Sequence, residues 1–142
     1  MSLNSAQFNM DLPDDWEDQT VFTFKGPEEN GIQHNLVLIV DNDPDNISLQ
    51  DYARLRLDSI KETLPGFELM GDQEKIMKSG LNAYEIIYKW SPSDDKIIFQ
   101  KQVYIIMNNK AYNFTASFSK KTIKTIGIKV DEIIDSFTPQ GD

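Results

Sequence analysis

Residues 83–118 hold three consecutive runs of strand formers with a two-residue alternation, parted by short turn signals. The first run, residues 83–90, is dominated by aromatic and β-branched side chains: Tyr84, Ile86, Ile87, Tyr88 and Trp90. The second covers residues 97–106 and the third residues 111–118. Three such runs in succession form an antiparallel meander, and the remainder of the chain has to pack around it. Side chains two apart share a face of a strand. The third run therefore puts Tyr112, Phe114, Ala116 and Phe118 on one face and Asn113, Thr115 and Ser117 on the other. The second puts Phe99, Lys101, Val103 and Ile105 opposite Gln100, Gln102, Tyr104 and Ile106. One face of the meander reads as ordinary core. The other mixes rings with neutral hydrogen-bonding groups, a surface either simply wetted by solvent or made to receive a partner.

Around this meander the chain alternates strands and helices. A short strand at residues 8–12 is stopped by Pro13, and Trp16 is expected to anchor the following turn in the core. A second strand covers residues 19–25, a turn follows at residues 26–31, and a third strand covers residues 34–40. Both faces of that third strand are apolar (Leu36, Leu38 and Val40 against Val37 and Ile39), which implies cover on both sides. Ser48, with Asp51 three residues on, starts a helix whose apolar stripe is Leu49, Tyr52, Ala53, Leu57, Ile60 and Leu64. Pro65-Gly66 ends it. Two weaker strands are expected at residues 67–70 and 74–77, joined by Gly71-Asp72. Within the meander, Asn108-Asn109 is a pair that tolerates positive φ in a tight hairpin. Ser119 is expected to cap a last helix, with Ile123, Ile126, Val130, Ile133, Ile134 and Phe137 inward and Pro139 as its stop. The fold class is α+β, an antiparallel sheet with packed helices, in a single domain spanning residues 1–142 with its ordered core at about 8–139.

Composition narrows the function. With 142 residues and 39% hydrophobic side chains the chain can bury one real core. Cysteine is absent, which rules out disulfides and thiol catalysis and makes the cytosol the expected compartment. The first residues have neither a basic nor an apolar signal region. Net charge is −9, unevenly placed: residues 1–74 carry 16 acids against 4 bases, residues 75–142 carry 7 against 10. Such an acidic chain repels phosphate backbones, so nucleic acid is disfavoured as a partner.

No constellation points to catalysis. Asp41-x-Asp43-x-Asp45 starts like a calcium loop but has Asn46 and Tyr52 where the loop needs Gly and Glu. His34 is the one histidine, too few for a zinc site. There is no nucleophile elbow and no phosphate loop. Lys120, Lys121, Lys124 and Lys129 read as a solvated helical face. The expectation is a non-enzyme with no catalytic residues, metal or cofactor. Gln100 and Gln102 stand out, because neutral amides on a strand can bond a partner without the desolvation cost of a charge.

Several local patterns together resemble one family. They are Asp11-Leu12-Pro13 before Trp16-Glu17-Asp18-Gln19-Thr20-Val21, His34-Asn35-Leu36-Val37-Leu38, Asp51-Tyr52-Ala53, and Leu64-Pro65-Gly66-Phe67. Gly80 with Ala83-Tyr84, FQKQVY at 99–104, Ala111-Tyr112 with Phe114-Thr115, and Ser136-Phe137 before Pro139 complete the set. The chain resembles the DcrB-like family of small bacterial proteins, within it the Eag-type chaperones of type VI secretion effectors, over about residues 8–139. This resemblance implies an α/β/α sandwich of the Mog/PsbP type. It also implies a cytoplasmic, homodimeric adaptor that shields the N-terminal transmembrane helices of a PAAR-containing effector before loading on the spike. The family's groove combines apolar strand residues with glutamines. Gln102, with Gln100 beside it, matches the glutamine role, and Tyr104 shares their face. Val21 and Leu38 lie on matching strands, and Thr23 stands where a more apolar residue would suit the groove. If Gln102 faces an open groove, its replacement by Ala should leave the fold nearly intact. The alternative is a Mog/PsbP-type module that docks a folded partner through its acidic surface.

Overall fold

The structure is a computed structural model and describes residues 2–4, 8–42, 44 and 46–139. In chain order it has β1 (Ser2–Asn4), β2 (Asn9–Asp11), β3 (Val21–Glu29), β4 (Ile32–Asp41), α1 (Leu49–Thr63) and β5 (Glu68–Ile76). Then come β6 (Asn82–Ser93), β7 (Lys96–Met107), β8 (Lys110–Phe118) and α2 (Ile126–Asp135). Six strands form one antiparallel sheet in the order β3-β4-β8-β7-β6-β5, and β1 pairs with β2 in a separate hairpin. The meander β6-β7-β8 lies within the sheet, and β4 returns to flank β8. The α+β assignment holds.

The two helices lie on opposite faces. α2 covers a core of Leu36, Val103, Ile105, Phe114, Ala116 and Phe118 with its own Ile126, Val130 and Ile134. α1 buries Tyr52, Ala53, Leu57 and Ile60 against Ile86, Tyr88, Tyr104 and Ala111 on the other face. The α1 stripe is buried as its sequence prescribes, whereas α2 buries Ile126, Val130 and Ile134 but leaves Ile133, expected inward, 53% exposed. Ser48 caps α1 by accepting from the Asp51 N–H at 3.1 Å, and Gly66 takes φ 66° just beyond its end.

Two polar clusters bind α2 and its approach to the sheet. Lys101, buried on that face, lies 2.8 Å from Asp131 of α2 and 3.6 Å from Glu85 of β6. His34 is also buried. Its Nδ1 lies 2.9 Å from the Pro27 carbonyl, which can only accept, so Nδ1 is the donor in that bond. Its Nε2 is 2.9 Å from Thr122 Oγ1. The single histidine is thus a tie between β4 and the turn before α2.

Several expectations are corrected. Trp16 does not anchor a core: it is 64% exposed. The chain runs through Gly26 and Pro27 as strand, with a register slip between Lys25 and Glu28, and turns only at Asn30-Gly31. The two weak strands are one, β5, with a slip between Leu69 and Gly71. Residues 120–125 are turn, so α2 begins at Ile126; Ser119 Oγ still accepts the Thr122 N–H at 3.2 Å. β4 is covered on one side only, because α1 lies over β6 and β7 and leaves Ile39 41% exposed.

Candidate functional site

The face of the sheet that carries α1 is only half covered. Cross-strand partners share a face, so the registers place Val21 beside Ile39 beside Asn113, and Thr23 beside Val37 beside Thr115. Ser117 of β8 lies beside Gln100 of β7. The uncovered floor is therefore Val21, Thr23, Val37, Ile39, Thr115 and Ser117, with Gln100 at the foot of α1. Val21 is 51% exposed and none of these side chains is charged. Strands lie about 4.8 Å apart, so β3, β4 and β8 offer a floor roughly 14 Å wide. An α-helix with side chains is about 10–12 Å across.

A directed chain of hydrogen bonds runs from under α1 to the edge of this floor. Tyr104 OH donates to Gln102 Oε1, and Gln102 Nε2 donates to Tyr88 OH at 2.8 Å. Tyr88 OH donates to Gln100 Oε1 at 2.8 Å, and Gln100 Nε2 donates to Ser117 Oγ at 2.9 Å. The three inner members, Gln102, Tyr88 and Gln100, each give one bond along the chain and take one, an arrangement in which the bonds polarise one another. Burial pushes the Tyr104 and Tyr88 hydroxyls well above the ordinary tyrosine pKa, so they stay protonated as donors.

At the other end of the floor a cavity of about 370 Å³ opens between the strands and α1, lined among others by Val21, Ile39, Asp41, Tyr52, Arg56 and Asn113. Asn113 Nδ2 donates to Tyr52 OH at 2.9 Å. Its buried Oδ1 has no hydrogen-bond partner among the described residues. The floor thus carries no charge and mixes the apolar Val21, Val37 and Ile39 with the hydroxyls of Thr23, Thr115 and Ser117, while the cavity at its far end also meets the charged Asp41 and Arg56.

The structure separates the six residues singled out from sequence. Val21, Thr23 and Gln100 share the open floor. Gln102 is on the same face but only 7% exposed, beneath α1, with both amide functions engaged. Its face is not open at that point, contrary to the sequence reading. Tyr104 is fully buried there and meets Tyr52 edge-on at 5.8 Å. Leu38 lies on the opposite face, paired with Phe22 and Phe114 and packed into the core under α2. The β4 side chains that do reach the floor are Val37 and Ile39, which the sequence reading had placed under cover. The signal for them was their alternation with Leu36 and Leu38. What sequence lacks is the lateral position of α1.

Among the described residues no cluster of three or more His, Asp or Glu side chains could hold a metal ion. Asp43 and Asp45 of the acidic loop lie outside the described residues. No described helix is long and apolar enough to cross a membrane.

Comparison with known proteins agrees with this geometry. Protein PA94 of Pseudomonas aeruginosa, of unknown function, superposes with a TM-score of 0.85 over 100% of this chain and 98% of its own, at 19% identity. A cyanobacterial PsbP protein from Synechocystis sp. PCC 6803 gives a TM-score of 0.57 at 17% identity, covering 74% of this chain and 66% of its own. LpqN, involved in cell envelope biogenesis of Mycobacterium tuberculosis, gives 0.54 at 17% identity over 89% and 87% of the two chains. At these identities the likeness is one of fold. No curated protein matches the chain in sequence. The DcrB family model, in contrast, matches residues 8–136, nearly the whole of the described sheet and both helices, and the chain belongs to the DcrB family.

Proposed function

We propose that this protein is a non-catalytic adaptor that shields an apolar helix of a partner on its half-open sheet face. The observation that carries the reading is the uncharged floor of β3, β4 and β8, one helix wide and lying beside α1. A helix placed there would sit next to α1 at an ordinary helix spacing of about 8–10 Å and complete the layer that α1 begins. Burying apolar surface on both partners is worth about 25 cal/mol per Å². Ser117 and Asn113 would serve the few polar groups such a helix carries.

The finer form of the reading follows the resemblance to Eag-type chaperones. In it the occupants are the N-terminal transmembrane helices of a PAAR-containing type VI secretion effector, held by a cytoplasmic homodimer until loading on the spike. Val21, Thr23 and Gln100 then line the groove directly. Gln102 and Tyr104 act through the hydrogen-bonded chain that ends at Gln100 and Ser117. Leu38 supports the floor from behind.

A leucine-rich helix of about 20 residues, made soluble by neutral polar flanks, is the probe. Calorimetric titration should give saturable binding whose affinity changes little between low and high salt. Docking of a folded partner through the acidic surface would instead be screened by salt. No binding of the probe at either salt concentration would overturn the groove reading.

A further inference from the structure

Asn113 lies where the covered and the open halves of the sheet face meet. Its register partner on β7 is Tyr104, fully buried beneath α1, and its partner on β4 is Ile39, 41% exposed on the floor. Asn113 is itself only 5% exposed, and it lines the cavity of about 370 Å³ together with Tyr52, Asp41 and Arg56. Hydrogen bonding fixes which half of its amide is spent. Tyr52 OH lies 3.5 Å from Asp41 Oδ2, and the carboxylate can only accept, so the single phenolic proton goes to Asp41. The Tyr52 oxygen then accepts from Asn113 Nδ2 at 2.9 Å. What Asn113 offers the cavity is Oδ1, a buried acceptor that no described group satisfies, Arg56 included. Buried amide oxygens are rarely left without a donor.

The rim of the cavity is acidic and held in place. Glu17, Asp18 and Asp41 line it, against Arg56 as the one base among the described lining residues. Asp18 Oδ1 accepts the Thr20 N–H at 3.0 Å, and Asn42 Nδ2 reaches the Asp18 carbonyl at 3.4 Å, which ties the lip before β3 to the residue after β4. An occupant has to bring N–H donors for Oδ1 and carry positive charge. The described carboxylates do not converge as a metal cage would. Tyr52 OH stands between Asp41 and the Asn113 amide, so the two acceptors are spaced around one hydroxyl. A guanidinium group, with its donors spread over three nitrogens in a rigid fork, serves both at once, whereas an ammonium is a compact point.

We propose that this cavity is a guanidinium site, which takes an arginine side chain standing just beyond one end of a helix laid on the floor. Val21 and Ile39 belong both to the floor and to the cavity wall, so the two are continuous. Membrane-type helices carry their basic residues beyond the ends of the apolar stretch, which puts the charge where the floor gives way to the acidic rim. Arginine there fixes where the helix lies along the floor, a choice that the uncharged floor alone leaves open. The placement of the arginine rests on the floor reading. The chemistry of the cavity stands without it.

Three versions of the leucine-rich helical probe, with arginine, lysine or citrulline as one flanking residue, separate charge from shape. In calorimetry at physiological salt the arginine version should bind about tenfold tighter than the citrulline version, and the lysine version only about twofold tighter. Asp41→Asn and Asn113→Ala should each narrow the gap between arginine and citrulline to about twofold, with the fold checked by circular dichroism. Equal affinity of the arginine and citrulline versions overturns the inference. A lysine version as tight as the arginine one overturns it as general attraction to an acidic chain. If no version binds, N-acetylarginine amide added to the parent chain decides, read by amide NMR. A shift of the Asn113 side-chain resonances keeps the guanidinium site and convicts the floor reading alone, and no shift there overturns both.

Discussion

Gln102 Nε2 donates to the hydroxyl of Tyr88 at 2.8 Å, across two neighbouring strands and beneath helix α1. The other end of the same amide accepts from Tyr104, so Gln102 holds two buried rings in place. Replacing it with Leu keeps volume but leaves both hydroxyls short of a partner. Each buried unpaired polar group costs about 1–3 kcal/mol. Gln102→Leu should therefore lower unfolding free energy by about 2 kcal/mol in urea, where a residue on an open face would cost less than about 0.5 kcal/mol. Binding of an apolar helix should change less than stability does.

Alkaline pH should unfold the protein through its tyrosines. Burial raises the pKa of Tyr104, Tyr88 and Tyr52 above the ordinary 10.0. Between the unfolded and folded pKa values the folded state holds more protons, so stability falls as pH rises. The contribution is fully present below pH 10 and is lost progressively above it. Tyrosinate absorbance at 295 nm should show these three rings ionising only together with loss of the circular dichroism signal. Smooth ionisation of all tyrosines in the intact fold would contradict their burial.

Gly127 sits in the first turn of α2 without positive φ. A Cβ added there would meet Ile123 Cγ1 at 3.8 Å and the Phe118 ring at 3.9 Å, ordinary contacts. Gly127→Ala should raise stability by about 0.5–1 kcal/mol, through helix propensity and a less free unfolded chain. Thermal melting reads the result.

Lys101 should matter far more than a surface lysine. Its ammonium group answers Asp131 and Glu85, and Glu85 is itself buried with Lys75 at 3.2 Å as its other cation. Lys101→Met should cost about 3 kcal/mol, since it leaves buried carboxylate charge under-compensated and detaches α2 from the sheet. Lys101→Met with Glu85→Leu should recover part of that loss in a double-mutant cycle.

The meander was legible because alternation and hairpin chemistry agree. Asn108 and Asn109 take φ 54° and 60° as a two-residue turn requires, and Met107 pairs with Lys110. α1 was legible from Ser48 to Gly66 for the same reason, with cap, stripe and stop in agreement. What was not legible is lateral placement. Alternation says that Leu38 and Ile39 face opposite ways, and that Gln102 and Thr115 share a face. It does not say that α1 covers β7 and reaches β8 only at Ala111 and Asn113, short of Thr115 and Ser117. That one offset buries Gln102, exposes Ile39 and moves the site from the glutamines to the strands beyond them. Trp16 misled because a large ring in a turn reads as an anchor, and only tertiary position could show it facing solvent.

The central claim is that the uncovered floor of β3, β4 and β8 receives an apolar helix. A photo-crosslinking residue in place of Ile39 lies on that floor, and one in place of Ile128, exposed on α2, lies on the opposite side of the sheet. With the leucine-rich helical probe, illumination should attach the peptide to the chain modified at Ile39 and leave the chain modified at Ile128 unlabelled. Equal labelling at both positions, or capture at Ile128 alone, would contradict the account.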